Sequence, residues 1–87
     1  MYYVYVLLSS KDSKFYIGFT PDDPFKRTEK HSLGLVQATK ARLPVELIYF
    51  EGHANEKDAL RRERYFKTTK GKTTLKQMLK ENLQLRK

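Results

Sequence analysis

Two apolar runs flanking a five-residue polar stretch constrain this chain more than any other feature. The first is Tyr2-Tyr3-Val4-Tyr5-Val6-Leu7-Leu8 and the second is Phe15-Tyr16-Ile17-Gly18-Phe19. Both are rich in aromatic and β-branched side chains, which suit a pleated, half-buried surface, so both read as strands. Ser9-Ser10-Lys11-Asp12-Ser13 between them is turn-forming. An antiparallel hairpin centred between Lys11 and Asp12 places Tyr5 opposite Gly18 and Leu7 opposite Tyr16. Side chains alternate along a strand, so Tyr3, Tyr5 and Leu7 share one face with Tyr16 and Gly18. Tyr5 and Tyr16 then become diagonal neighbours with their phenol groups within reach of each other. Glycine inside a strand signals a bulge or a close backbone approach. Two tyrosines in this arrangement also suit ordinary core filling with hydroxyls at the rim.

The remaining chain alternates between helix and strand signals. Asp22-Asp23-Pro24 announces a helix, because Asp caps the free N–H groups and Pro fits the first turn. That helix is expected from about Pro24 to Leu33, ending at Gly34. Leu35 to Leu43 shows no period and is expected to be a loop. Pro44 introduces a third strand, Val45-Glu46-Leu47-Ile48-Tyr49-Phe50. Asn55 opens a second helix reaching about Thr68, and Lys70-Gly71-Lys72 is expected to break it. Thr74 and Gln77 fit a capping box for a third helix, in which Leu75, Met78, Leu79 and Leu83 form an apolar stripe. The expected fold is α/β of the α+β kind: a small three-stranded antiparallel sheet flanked by helices, in the order β-β-α-β-α-α. No repeat, linker or low-complexity stretch divides the chain, so one domain is expected over residues 1–87.

Charge is distributed unevenly. The net charge is +8 over 87 residues. Residues 1–56 hold seven basic and seven acidic side chains, whereas residues 57–87 hold eleven basic against three acidic. A neutral front and a basic back suit a surface that meets a polyanion, although a solvated helical tail has the same composition. The longest apolar run falls far short of the roughly 18 residues a membrane span needs. Met1-Tyr2-Tyr3 lacks the basic stretch of a secretory leader, and the chain has no cysteine. A cytoplasmic location without membrane attachment is expected.

Three positions carry chemistry that the fold alone does not require. At 100° per residue, Glu63 falls about 40° from Ala59, between Leu60 and Phe66, and so projects from the apolar face of its helix. Arg61, Arg64 and Tyr65 project away. An inward carboxylate is costly unless it is paired or bound to a metal. Either an ion pair with Lys67 one turn on or a hard cation such as Mg²⁺ would satisfy it. Arg27 and His31 lie four apart and share a helix face. A guanidinium can clamp a phosphate, and an imidazole can move a proton near neutrality. Such a pair is also common on solvated surfaces.

Taken together, these residues resemble the GIY-YIG nuclease superfamily. Tyr3-Val4-Tyr5, ten residues, then Tyr16-Ile17-Gly18 is similar to its paired motif, with Tyr3 in place of the leading glycine and Val4 in the middle. Arg27 and His31 match the family's catalytic arginine and histidine, and Glu63 in Ala59-Leu60-Arg61-Arg62-Glu63 matches its metal-binding glutamate. Thr39 to Tyr49 and Phe66-Lys67 resemble the small stand-alone bacterial branch, akin to the catalytic module of excision-repair nucleases. The resemblance implies a divalent-metal-dependent DNA endonuclease, using Mg²⁺ or a cation such as Mn²⁺, with a place in DNA repair or recombination. It assigns catalytic roles to Tyr5, Tyr16, Arg27, His31 and Glu63, with Glu63 as the metal ligand and Tyr5 the favoured partner of the attacking water. Lys40, Arg42, Lys67, Lys70, Lys72, Lys76 and Lys80 are then candidates for the DNA backbone, with Lys72, Lys76 and Lys80 forming one stripe. Choice of target is left to DNA structure or to a protein partner. The competing expectation is a non-catalytic nucleic-acid-binding module that keeps the same fold.

Overall fold

The computed structural model describes residues 1–86, so residue 87 of the expected domain lies outside the described residues. β1 (Tyr2–Ser9) and β2 (Phe15–Thr20) form the expected hairpin, with Tyr5 paired to Gly18 and Leu7 to Tyr16. α1 (Pro24–Ser32) begins at Asp23, whose carboxylate accepts from the Phe25 backbone N–H at 2.8 Å. α2 (Gln37–Lys40) is a single turn in the stretch expected to be a loop. β3 (Val45–His53) pairs antiparallel with the other edge of β1, giving the strand order β2-β1-β3. Its register shifts between Val6 and Leu7, which face Tyr49 and Leu47. The extra residue, Ile48, packs beside Tyr49 on the main core instead of alternating away.

α3 (Glu56–Lys67) starts at Asn55, whose side chain accepts from the Lys57 backbone N–H at 2.8 Å. The helix ends at Thr68, as expected, but Lys70-Gly71-Lys72 does not separate helices and lies instead inside the next one. The Thr68 hydroxyl accepts from the Gly71 N–H at 3.0 Å and caps α4 (Thr69–Met78), so Thr74 is an interior residue. Gly71 is here for space: a Cβ on it would fall 1.9 Å from the Tyr65 carbonyl oxygen. α5 (Lys80–Gln84) follows after Leu79, so the expected third helix is two helices.

The sheet separates two layers. On one face Val4, Val6 and Ile17 pack against Ala59 and Phe66 of α3 and Leu75 of α4, all fully or nearly fully buried. Leu79 joins this core, whereas Met78 is exposed. Tyr65, expected to point away, is half-buried there, and its hydroxyl lies 2.8 Å from that of Thr74. On the other face α1 covers Tyr5, and His31 and Thr39 are buried without solvent contact. The helix-on-sheet-on-helix arrangement gives a 10.3 kDa chain two small apolar interfaces.

Candidate active site

Tyr5 is the centre of the second interface. Its ring lies over Gly18, where a Cβ would fall 2.3 Å from the tyrosine Cζ. A side chain at position 18 would therefore displace the phenol. The Tyr5 hydroxyl lies 2.8 Å from Nε2 of His31, and Arg27 Nε donates to the same oxygen at 3.4 Å. Arg27 and His31 reach one atom because they stand one helical turn apart on α1. Tyr16 packs its ring 5.1 Å from the imidazole and 6.3 Å from Tyr5, as the hairpin register requires. Its hydroxyl makes no hydrogen bond among the described residues.

Burial sets the protonation states. It pushes the Tyr5 phenol up to about 12, reinforced by the charges of Tyr16 and Glu63 and opposed by Arg27. It pulls the His31 imidazole down to about 4, helped by the neighbouring Arg27 cation. At neutral pH the pair is a protonated phenol against a neutral imidazole. The other imidazole nitrogen, Nδ1, lies 2.6 Å from the Thr39 hydroxyl, which is itself fully buried. Sequence reasoning did not single out Thr39, since nothing periodic marks its segment.

Glu63 projects from α3 with a side chain only 17% exposed, and Lys67 approaches it to 3.3 Å. The ion pair weighed from sequence therefore forms, and the carboxylate is also close enough for its charge to act on the Tyr5 hydroxyl. Among the described residues no group of three or more His, Cys, Asp or Glu side chains gathers into a cage. The available donor set is one partly open carboxylate. It fits Mg²⁺, which keeps several waters and takes substrate phosphate oxygens around one or two carboxylates.

The basic residues fall into different environments. Beside Arg27, a groove of about 440 Å³ is lined by Lys26 and Lys30, which sequence reasoning missed, and by Asp22 and Asp23. A second cleft of about 390 Å³ is lined by Lys14, Phe15, Arg42, Lys72, Lys76 and Leu83. Lys72 and Lys76 belong to α4 whereas Lys80 opens α5, so the expected three-lysine stripe is divided between two helices. Lys40 and Lys70 are exposed. Lys67 is the partner of Glu63. Arg42 clasps the hairpin turn: Nε donates to Asp12 at 3.0 Å, and the guanidinium donates to the carbonyls of Lys14 and Phe15 at 3.1 and 3.2 Å. Its fork is already engaged, which explains its position better than a phosphate does. Sequence reasoning also passed over Glu51, half-buried on β3, which accepts from Tyr49, His53 and Arg62 at 2.7–2.9 Å.

Comparison with known proteins places this geometry in context. The family model described as the GIY-YIG catalytic domain matches residues 1–77. A UPF0213 protein of Lacticaseibacillus paracasei is 46% identical over 67 residues, covering 76% of this chain and 73% of that protein. A UPF0213 protein of Pediococcus pentosaceus is 38% identical over 85 residues, covering 97% and 87%. No solved structure was found to match.

Proposed function

The chain belongs to the GIY-YIG family, a nuclease family, and on that premise we propose that it is a divalent-metal-dependent endonuclease that hydrolyses DNA phosphodiester bonds. The observation that supports this best is the meeting of Arg27, His31 and the Tyr5 hydroxyl at one oxygen, with Tyr16 packed alongside and the Glu63 charge felt there. A cation held by Glu63 would polarise the phosphate and stabilise the leaving oxygen. Arg27 neutralises charge that builds on the phosphate oxygens in the transition state. Tyr5 accepts a proton from the attacking water while its own passes to Nε2 of His31. The new O–P bond forms as the bond to the leaving oxygen breaks. The negative phosphodiester offsets Arg27 and raises the proton affinity of the buried imidazole. Tyr16 holds the imidazole by ring packing.

Lys26 and Lys30 beside Arg27, with Lys40, Lys70, Lys72, Lys76 and Lys80, would hold the backbone through contacts that carry no base sequence. Preference would then come from DNA structure or from a protein partner. No helix among the described residues is long and apolar enough to cross a membrane. The proposed setting is DNA in the cytoplasm, in repair or recombination, with the chain acting as a single domain.

The Glu63–Lys67 ion pair favours a second reading, a binding module whose glutamate is structural. Cleavage of supercoiled, branched and single-stranded DNA by wild type and Glu63→Ala, with and without Mg²⁺ at low salt, separates the two. Mg²⁺-dependent cutting by wild type alone supports the nuclease. Equal salt-sensitive binding by both proteins with no cutting overturns it.

A further inference from the structure

Resting on the nuclease reading of the site, we infer that Thr39 is a positioning residue: its buried hydroxyl holds His31 as the Nδ1–H tautomer and so keeps Nε2 open to receive the Tyr5 proton. The donor inventory along the chain of contacts supports this direction. Arg27 can only donate, and its Nε–H points to the Tyr5 oxygen. With that oxygen accepting, the Tyr5 proton is directed along the 2.8 Å contact to Nε2. A neutral imidazole that accepts at Nε2 carries its proton on Nδ1. Among the described residues that proton has one hydrogen-bond partner, the Thr39 Oγ1 at 2.6 Å. Arg27, Tyr5, His31 and Thr39 thus form one run of donors aimed inward, in which each bond polarises the next. The reverse arrangement, with Thr39 donating to Nδ1, puts a second donor on the Tyr5 oxygen beside Arg27; each arrangement leaves one hydroxyl proton, that of Thr39 or that of Tyr5, without a partner among the described residues, and the inward run is the one that keeps Nε2 open.

The placement is specific. His31 lies in the last turn of α1, and Thr39 lies eight residues on, in the single turn α2. Both are fully buried, so water does not substitute for either partner. α2 therefore brings the tautomer-setting hydroxyl to the back of the imidazole while Tyr5 meets its front.

The test uses the full chain labelled with ¹⁵N and long-range proton–nitrogen correlations of the His31 ring at neutral pH. Wild type and Thr39→Ser are expected to show Nδ1 protonated and Nε2 unprotonated. Thr39→Val, nearly the same shape without the hydroxyl, is expected to lose that pattern. Its kcat on DNA should fall about 10- to 100-fold, the loss typical when the group orienting a metal-bound histidine is removed, with KM little changed and activity restored in Thr39→Ser. An Nε2–H tautomer in wild type, or an unchanged Nδ1–H tautomer in folded Thr39→Val, overturns the assignment. If Thr39→Val does not fold, the wild-type and Thr39→Ser spectra decide. The tautomer is read without any cleavage, so its failure is distinct from failure of the nuclease reading, which is an inactive wild type.

Discussion

The ring of Tyr5 occupies the space where a side chain at Gly18 would begin: a Cβ there would fall 2.4 Å from the tyrosine hydroxyl oxygen. Gly18→Ala therefore moves the atom that Arg27 and His31 both reach. The expected cost is about 1–3 kcal/mol of stability, typical of overpacking, and about 100-fold in kcat, since a shift near 1 Å in a reacting group has that effect. Urea denaturation and single-turnover cleavage measure the two losses. Wild-type cleavage by Gly18→Ala would sink the role given to Tyr5.

Glu63 and Lys67 form a partly exposed pair at i, i+4, a class worth about 0.3–0.5 kcal/mol. Glu63→Gln is thus expected to leave the urea midpoint almost unchanged while removing cleavage and sparing DNA binding. Lys67→Met removes the ammonium that competes for the carboxylate, and half-maximal activity should come at lower Mg²⁺. A loss of stability well above 1 kcal/mol in Glu63→Gln, matched by an equal loss of binding, would assign the glutamate to structure.

The hairpin, its register and the Tyr5–Gly18 pairing were legible because alternation leaves one choice once the turn is centred, and a one-residue slip would invert every side chain. That Arg27 and His31 share a face of α1 was legible from helical spacing, whereas the roles expected of them came from the family resemblance. Thr39 was not legible, because its importance depends on a single turn folding back under His31. The contacts of Arg42 with Asp12 and two carbonyls were not legible, because charge does not tell a carbonyl or a carboxylate from a phosphate. The end of α3 near Thr68 was legible, but the next helix was expected only from Thr74 because Gly71 looked like a terminator, whereas it is a contact point against Tyr65. Glu51 went unnoticed because its three partners come from β3 and α3 together.

Acid should weaken the fold in two separate windows. The His31 imidazole, ordinarily near 6.5, is held at about 4 in the folded protein. Between those values the unfolded chain binds more protons, so stability falls as pH is lowered from 6.5 toward 4, by about 3 kcal/mol. For Glu51, burial raises the carboxyl pKa, but hydrogen bonds from Tyr49, His53 and Arg62 outweigh it and hold it below its ordinary 4.5. Its contribution is present above that value and is lost as pH falls further. Urea midpoints across pH 3–7 should show both slopes, on the order of one protonation each. His31→Asn should flatten the upper window and Glu51→Gln the lower. A flat profile between 6.5 and 4 in wild type would contradict the buried neutral imidazole.

The cleft between the hairpin tip and α4 separates cations available to a polyanion from one already engaged. Lys72 and Lys76 are exposed and make no ion pair among the described residues, whereas Arg42 holds Asp12 and two carbonyls. Each lysine that neutralises a phosphate contributes about −0.9 to the slope of log affinity against log salt on duplex DNA. Lys72→Ala and Lys76→Ala are each expected to reduce the slope by about one and to weaken binding on all sequences alike. Arg42→Ala should leave the slope nearly unchanged and instead lower the urea midpoint, because the hairpin turn loses its clasp. Fluorescence anisotropy across a salt series, paired with denaturation of the same variants, distinguishes the two effects. A slope change in Arg42→Ala as large as that in Lys72→Ala would mean that the guanidinium leaves the turn when DNA arrives.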